Sequence, residues 1–249
     1  MIFYKYYANG NDFVIFNAEK KEDLSKLAIL LCNRYSGIGS DGLIAILKHE
    51  KYDFEWQFYN KDGSMGEMCG NGARAAAHFF HHFNKGKNKL SFLTDAGVIR
   101  ANVEKDMVEI SLGEVKDIKE SFEFKGKIWQ GCNTGVPHLV CFVDDINEFN
   151  KEDARFLRQK YNANVNYVQI INKDFIKVRT FERGVENETL ACGTGMSACF
   201  YLGKLKNLLL DEVKISPKSE DLAFCKIEKN EVYLKAKVKC CFEAHYYFD

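Results

Sequence analysis

The sequence predicts a mixed α/β (α+β) fold of two similar halves related by a pseudo-two-fold axis, each a curved sheet wrapped around a central helix. Three observations predict it. Cys-Gly-x-Gly occurs twice, as Cys69-Gly70-Asn71-Gly72 and as Cys192-Gly193-Thr194-Gly195. Each copy follows two strand-like runs and opens a helix poor in large residues. The order of strand-like and helix-like segments in the first half then recurs in the second. The division is expected near Val115: residues 1–115 carry the first motif and 116–239 the second, with the alternating C-terminal run 240–249 packing back onto the first half.

In order, β-branched and aromatic residues mark strands at Ile2 to Tyr7 and Phe13 to Phe16. Leu24, Leu27, Ala28 and Leu31 recur at helical spacing, predicting a helix from Asp23 to Arg34 closed by Gly37. Strands Leu43 to Leu47 and Phe54 to Tyr59 lead into the first glycine-rich turn, a helix from Ala73 to Phe83, and strands near Leu90, Val98 and Val108. The second half runs through strands Ile128 to Cys132 and Leu139 to Val143, a helix at Asp153 to Tyr161, and strands Val165 to Ile171 and Phe175 to Phe181. The second glycine-rich turn, a helix from Met196 to Leu205 and strands near Val213, Phe224 and Val232 complete it. The helices after the two motifs carry Ala73, Ala75, Ala76 and Ala77, and Ser197, Ala198 and Gly203, small residues that neighbours approach closely. With Phe79, Phe80 and Phe200 beside them, both helices are expected inside their sheets.

Composition narrows the function. At 249 residues the chain is one large domain or two small ones. With 46% hydrophobic and 28% charged residues it is globular rather than disordered or fibrous. Lys+Arg and Asp+Glu both number 35, so no global basic field draws it to nucleic acid or anionic lipid. No apolar run approaches the roughly 18 residues of a membrane span, and the start lacks the pattern of a secretory leader. Nine cysteines, an odd count without regular spacing, speak for reduced thiols rather than a disulfide framework. A cytoplasmic protein acting on a small molecule is the expectation.

Several motifs are set aside on physical grounds. Gly37-Ile38-Gly39-Ser40-Asp41-Gly42 has the letters of a dinucleotide fingerprint, but it follows a predicted helix and precedes a strand, the reverse of what phosphate cradling needs. His78, His81 and His82 lack a carboxylate or cysteine to complete a metal set and are read as a solvated helix end. Cys32, Cys132, Cys141, Cys199 and Cys225 lie in apolar patterns as small core residues. Cys240-Cys241 has no zinc-knuckle spacing, and these seven cysteines are read as structural.

Cys69 and Cys192 differ because each stands where a glycine-rich turn delivers backbone N–H groups at a helix start. Such a site binds anions and lowers a thiol's pKa from about 8.5 toward neutrality. Two copies at equivalent places in a duplicated fold would put two thiols and two anion-binding nests face to face, with the active site between the halves. Inverting a carbon next to a carboxylate needs that pair, one base to remove the proton and one acid to deliver another to the opposite face. The N–H nests would hold the carboxylate and its enolate-like charge.

On these residues the sequence resembles the diaminopimelate epimerase family. The likeness runs through Gly10-Asn11-Asp12-Phe13, Gly37-Ile38-Gly39-Ser40-Asp41-Gly42, Asn60-Lys61-Asp62-Gly63-Ser64, Met68-Cys69-Gly70-Asn71-Gly72, Pro137-His138, Glu182-Arg183-Gly184 and Ala191-Cys192-Gly193-Thr194-Gly195. The resemblance implies two similar halves with mostly antiparallel sheets. It also implies interconversion of LL- and meso-diaminopimelate without pyridoxal phosphate, metal or nucleotide, and a homodimer. By resemblance Cys69 and Cys192 are the acid–base pair, and Gly70, Asn71, Gly193 and Thr194 hold the reacting carboxylate. Asn11, Asn60, Asn164, Glu182 and Arg183 match substrate-binding positions, and His138 and Glu182 match residues that tune the thiols. Diaminopimelate is an amino acid at both ends, so Arg183 suits a carboxylate while Asn and Glu suit an ammonium.

Three departures stand out. Val136 replaces the family's usual Asn two places before the histidine, so one substrate hydrogen bond is either missing or supplied by Asn133 or Thr134. The stretch 184–189 is one residue longer than usual, which implies a bulged loop before Cys192, and Tyr7-Ala8 replaces the common His-Gly. Two rival readings are a proline-racemase-like epimerase, whose first motif typically carries His where Asn71 stands, and a non-catalytic thiol redox or metal-binding protein.

Overall fold

The structure, a computed structural model, describes residues 1–83 and 86–248. Its chain divides into two units, Met1–Ile110 with Lys237–Asp249 and Ser111–Ala236. The division after Ile110 lies slightly ahead of the expected Val115.

The first unit begins with β1 (Ile2–Ala8) and β2 (Asn11–Asn17), followed by α1 (Ser25–Cys32), β3 (Gly42–Leu47), β4 (Phe54–Asn60), α2 (Gly70–Phe83), β5 (Lys89–Thr94), β6 (Gly97–Glu104) and the start of β7 (Met107–Glu114), whose residues from Ser111 on fall in the second unit. The second unit carries β8 (Phe122–Phe124), β9 (Lys127–Asn133), β10 (Pro137–Val143), α3 (Lys151–Tyr161), β11 (Asn164–Asn172), β12 (Phe175–Glu182), β13 (Asn187–Thr189), α4 (Gly193–Leu205), β14 (Glu212–Ser216), β15 (Ala223–Glu228) and β16 (Glu231–Lys237). The last strand, β17 (Lys239–His245), pairs antiparallel with β1.

The duplication is visible in the pairings. From β1 to β7, successive neighbours are antiparallel, parallel, antiparallel, parallel, antiparallel and antiparallel. The series β9, β10, β11, β12, β14, β15, β16 repeats that order. β8 flanks β9 as β17 flanks β1. The result is the predicted mixed α+β fold, dominated by sheet.

Both motif helices lie inside their units. α2 rests against β1, β2, β3 and β6, and α4 against β10, β11, β12 and β15. Ala73, Ala75, Ala76, Ala77 and Phe79 are fully buried, as are Met196, Ala198, Cys199, Phe200 and Leu202. Small side chains let the strands close on the helix, while each large apolar one contributes about 1.5–3 kcal/mol of transfer free energy. Both helices begin earlier than expected, at Gly70 and Gly193, because the carbonyls of Cys69 and Cys192 already accept from Ala73 and Met196. The motif glycines therefore belong to the first helical turns.

α1 is shorter than the predicted Asp23 to Arg34. Asp23 Oδ1 accepts from Ser25 N, and Asn33 Oδ1 from Tyr35 N and Ser36 N. Such local bonds compete with helix, so the element stops at Cys32. Gly37 lies beyond the helix end rather than closing it. A Cβ there would meet Leu30 O at 2.2 Å, so only glycine allows the chain to fold back over α1. Residues 184–189 lie in a short hairpin: Thr180, Phe181 and Glu182 pair in unbroken register with Thr189, Glu188 and Asn187, and the loop between them spans 183–186. Gly184 and Glu186 turn it with positive φ of 91° and 57°.

Cys32, Cys132, Cys141, Cys199 and Cys225 are buried, whereas Cys240 and Cys241 are exposed on β17. His78 is half-buried with its ring 5.7 Å from that of Tyr6, so it is not part of a solvated helix end. No described helix is long and apolar enough to cross a membrane.

Candidate active site

In the first unit, an Asn9-Gly10 turn with positive φ at both residues joins β1 to β2 and sets Asn11 at the start of β2. Cys69 precedes α2, and its Sγ accepts from Gly72 N at 3.4 Å. The thiol thus sits at the positive end of the helix, where a negative sulfur is favoured. Asn71, in the first turn, is 3% exposed. Its orientation follows from a fully buried neighbour: Arg74 has only donors, and its Nη2 gives to Asn71 Oδ1 at 2.6 Å and Asn9 Oδ1 at 2.9 Å. Asn71 Nδ2 must then donate, and it does, to Asn11 Oδ1 at 2.7 Å. Asn11 Nδ2 in turn donates to Asp41 Oδ2 at 3.0 Å.

The chain ends in an ion-pair network. Arg34 bridges Asp12 and Asp41, and Lys5 pairs with Asp12 at 2.7 Å. Burial by itself would raise the Asp12 pKa; hydrogen bonds from Arg34 and Lys5 outweigh it and hold the group at about 2. Asn60 ends β4 opposite Gly42, with Nδ2 donating to Ser64 Oγ at 3.0 Å. It stands beside the Asp41 segment, whose carbonyl accepts from Lys61 N.

In the second unit, Cys192 occupies the N-cap of α4 and is 7% exposed. Its Sγ lies 3.4 Å from Thr194 Oγ1, which lies 3.0 Å from His138 Nε2. His138, on β10, is fully enclosed, and its pKa is pushed down to about 3, first by burial and then by the positive charge of Arg183. Asn164 opens β11; its Oδ1 accepts from Arg183 N at 2.8 Å and its Nδ2 donates to Pro137 O at 3.3 Å. Arg183 Nη1 donates to Asn162 O at 3.1 Å, at the left-handed residue that ends α3. Glu182 is the last residue of β12, paired with Asn187.

The second unit therefore gathers Cys192, Gly193, Thr194, His138, Asn164, Glu182 and Arg183 at neighbouring strand and helix ends. The first gathers Asn11, Asn60, Cys69, Gly70 and Asn71. The candidates for replacing the missing Asn at 136 have other duties: Thr134 Oγ1 donates to Thr194 O at 2.9 Å, and Asn133 Oδ1 accepts from Gly135 N at 2.9 Å. Sequence reasoning missed Arg74, a lone charge among alanines in a helix otherwise read as buried. It also missed Asn166 and Thr180, although Asn166 is two residues from Asn164 and so on the same face of its strand. Among the described residues, no group of three or more His, Cys, Asp or Glu is placed to hold a metal ion.

Comparison with known proteins shows the family of the chain. The family model for diaminopimelate epimerase matches residues 3–118 and 132–239. A diaminopimelate epimerase from Campylobacter jejuni subsp. jejuni serotype O:6 is 60% identical over 249 residues, covering all of both chains. One from Campylobacter lari is 58% identical over 248 residues with the same coverage. Among solved structures, a predicted epimerase from Pseudomonas aeruginosa superposes with a TM-score of 0.77 at 13% identity, covering 100% of this chain and 99% of that one. That last likeness is one of fold. The full-length identities and the family model together show that the chain belongs to the diaminopimelate epimerase family.

Proposed function

We propose that this chain interconverts LL- and meso-diaminopimelate, in lysine and peptidoglycan precursor synthesis, by proton transfer through two thiols. The observation that carries the reading is the placement of Cys69 and Cys192 at the N-termini of the two buried helices, at equivalent points of a repeated strand order. One sulfur, as thiolate, takes the α-proton; the other, as thiol, gives a proton to the opposite face of the same carbon. The C–H electron pair passes into the carboxylate as enolate-like charge and returns to carbon when the second proton arrives. Backbone N–H groups of Gly70 and Asn71, and of Gly193 and Thr194, lie in the first helical turns, which lack intrahelical acceptors and favour that charge. After turnover the thiol and thiolate have exchanged places, so the reverse isomer is the substrate of the new state.

The far end of the substrate carries an ammonium and a carboxylate. Arg183 takes the carboxylate, and Asn11, Asn60, Asn164 and Glu182 provide acceptors for ammonium and donors for oxygen. His138 and Glu182 tune the thiols. The chemistry is complete with side chains and backbone alone, so neither pyridoxal phosphate nor metal is assigned a role. We place the enzyme in the cytoplasm, since the mechanism depends on reduced cysteines, and as a homodimer, on family resemblance.

The test is incubation with LL-diaminopimelate in heavy water, following isomer ratio and deuterium at the α-carbon. Formation of the meso isomer with deuterium at the inverted centre is expected. Turnover of proline in place of diaminopimelate would transfer the assignment to the racemase reading, and turnover of neither would sink the enzymatic one.

A further inference from the structure

The polar atoms around His138 determine which of its nitrogens carries the proton. Asn166, on β11, is fully buried. One end of its amide is 2.9 Å from Leu139 O, a carbonyl that can only accept, so that end is Nδ2. The other end, Oδ1, accepts from Thr180 Oγ1 at 2.9 Å. The remaining hydrogen of Nδ2 points at His138 Nδ1, 3.1 Å away. Nδ1 therefore accepts, and the ring proton sits on Nε2. Nε2–H donates to Thr194 Oγ1 at 3.0 Å, which leaves the threonine hydrogen directed to Cys192 Sγ at 3.4 Å. Every step runs in one direction, from Thr180 to the sulfur.

We propose that Asn166 is a positioning residue for the Cys192 thiol: its amide locks His138 as the neutral Nε2–H tautomer, and the Thr194 hydroxyl carries that choice to the sulfur as a donated hydrogen bond. The reading of Cys192 as an acid–base group underlies it. When the sulfur is a thiolate the hydroxyl donates to it; when the sulfur is a thiol, the second lone pair of Thr194 accepts S–H. No proton travels along the chain, and His138 stays neutral in both states. The opposite tautomer would face Nδ1–H against the amide NH2 and withdraw the donor from Thr194, a clash of two donors in a buried site.

Packing leaves Asn166 little freedom. A Cβ on Gly195 would lie 2.5 Å from its Oδ1 and 3.2 Å from Thr180 Oγ1, so the amide presses on the first turn of α4. Two other groups act on the chain. Arg183 places positive charge near the ring. Cys199 neighbours Cys192 electrostatically and is held well above the ordinary thiol value by burial, so it remains neutral.

Nitrogen-15 NMR of histidine-labelled protein tests the tautomer, with the His138 signals identified by their loss in His138→Asn. The expected result is a pyrrole-like Nε2 and a pyridine-like Nδ1 that do not titrate between about pH 5 and 9. Averaged nitrogens, or a protonated Nδ1, would overturn the proposal whatever the enzyme turns over. In the isosteric Asn166→Asp, a carboxylate beside Nδ1 should draw a proton there and abolish the pyridine-like signal. Thr194→Val should keep the His138 tautomer, lower kcat about tenfold with KM little changed, and move alkylation of Cys192, mapped by peptide mass, to higher pH. An alkylation profile identical to wild type in Thr194→Val would remove the hydroxyl from the chain. Failure of wild-type enzyme to epimerise diaminopimelate would instead count against the proposed function and leave the tautomer measurement standing.

Discussion

Arg74 and Asn71 sit one helical turn apart on α2, and Nη2 of the first donates to Oδ1 of the second at 2.6 Å, in a fully buried setting. Because the guanidinium cannot accept, this bond fixes the amide of Asn71 and, through it, Asn11 and Asp41. Arg74→Met keeps the apolar stem but removes the donors from two buried amide oxygens, those of Asn71 and Asn9. The expected loss is about 3 kcal/mol in urea unfolding. Arg74→Lys should recover part of that stability while kcat stays low, since an ammonium cannot serve the same two acceptors in plane. Full recovery of kcat by lysine would reduce the role of Arg74 to charge alone.

Removing either sulfur tests the two-thiol reading directly. Cys69→Ala and Cys192→Ala should each abolish net epimerisation with folding intact, because inversion needs a proton carrier for each face. The serine variants should retain only slow turnover, as a hydroxyl's far higher pKa disfavours proton removal. A folded alanine variant working near the wild-type rate would exclude that cysteine from the chemistry.

Much of this architecture is legible in the sequence alone. The strand alternation and the twin Cys-Gly-x-Gly turns carry the duplication, since residue types alone report period-2 burial and the glycine needed at a crowded helix start. The orienting residues were not legible. Arg74 and Asn166 act through partners 65 and 28 residues distant in sequence, Asn9 and His138, so no local spacing announces them. The ends of α1 were misplaced for a related reason: Asp23 and Asn33 were counted within an apolar repeat, while their side chains bond to nearby backbone. The loop at 183–186 is the turn of a hairpin, a pairing of Thr180–Glu182 with Asn187–Thr189 that the length of the stretch does not by itself announce.

Gly195 offers a packing test. An added methyl would lie 2.5 Å from Asn166 Oδ1, too near for any real Cβ, and the neighbours are enclosed. Gly195→Ala should cost on the order of 1–3 kcal/mol through displacement of the amide, even though alanine is the better helix former. Thermal unfolding decides the sign, and a more stable variant would show that Asn166 yields freely.

Arg183 is expected to act on binding. Arg183→Lys keeps the charge but loses the two-pronged contact with a carboxylate, so KM for diaminopimelate should rise about tenfold with a smaller change in kcat. Unchanged steady-state constants would mean that the guanidinium holds only Asn162 O.

His138 makes the protein acid-sensitive over a defined range. Its pKa falls from 6.5 to about 3 on folding, first through burial and then through Arg183. Between those values the unfolded chain binds a proton that the native ring refuses, so stability declines as pH falls through 6.5 and the decline stops near 3. The loss from this ring alone reaches about 2 kcal/mol at pH 5. His78, also lowered by burial, acts in the same direction. Asp12 adds the opposite kind of linkage lower down: its depressed pKa stabilises the fold above 3.8, and that contribution is lost as pH falls toward about 2. Subtracting a variant isolates the ring, since His138→Gln leaves His78 and Asp12 in place. Urea unfolding at intervals from pH 7 to 4.5 should show the wild type losing stability more steeply than His138→Gln, with the two curves diverging below pH 6.5. Parallel curves would show that the native ring accepts a proton as readily as the unfolded one, and with it that His138 is not held neutral beside Thr194.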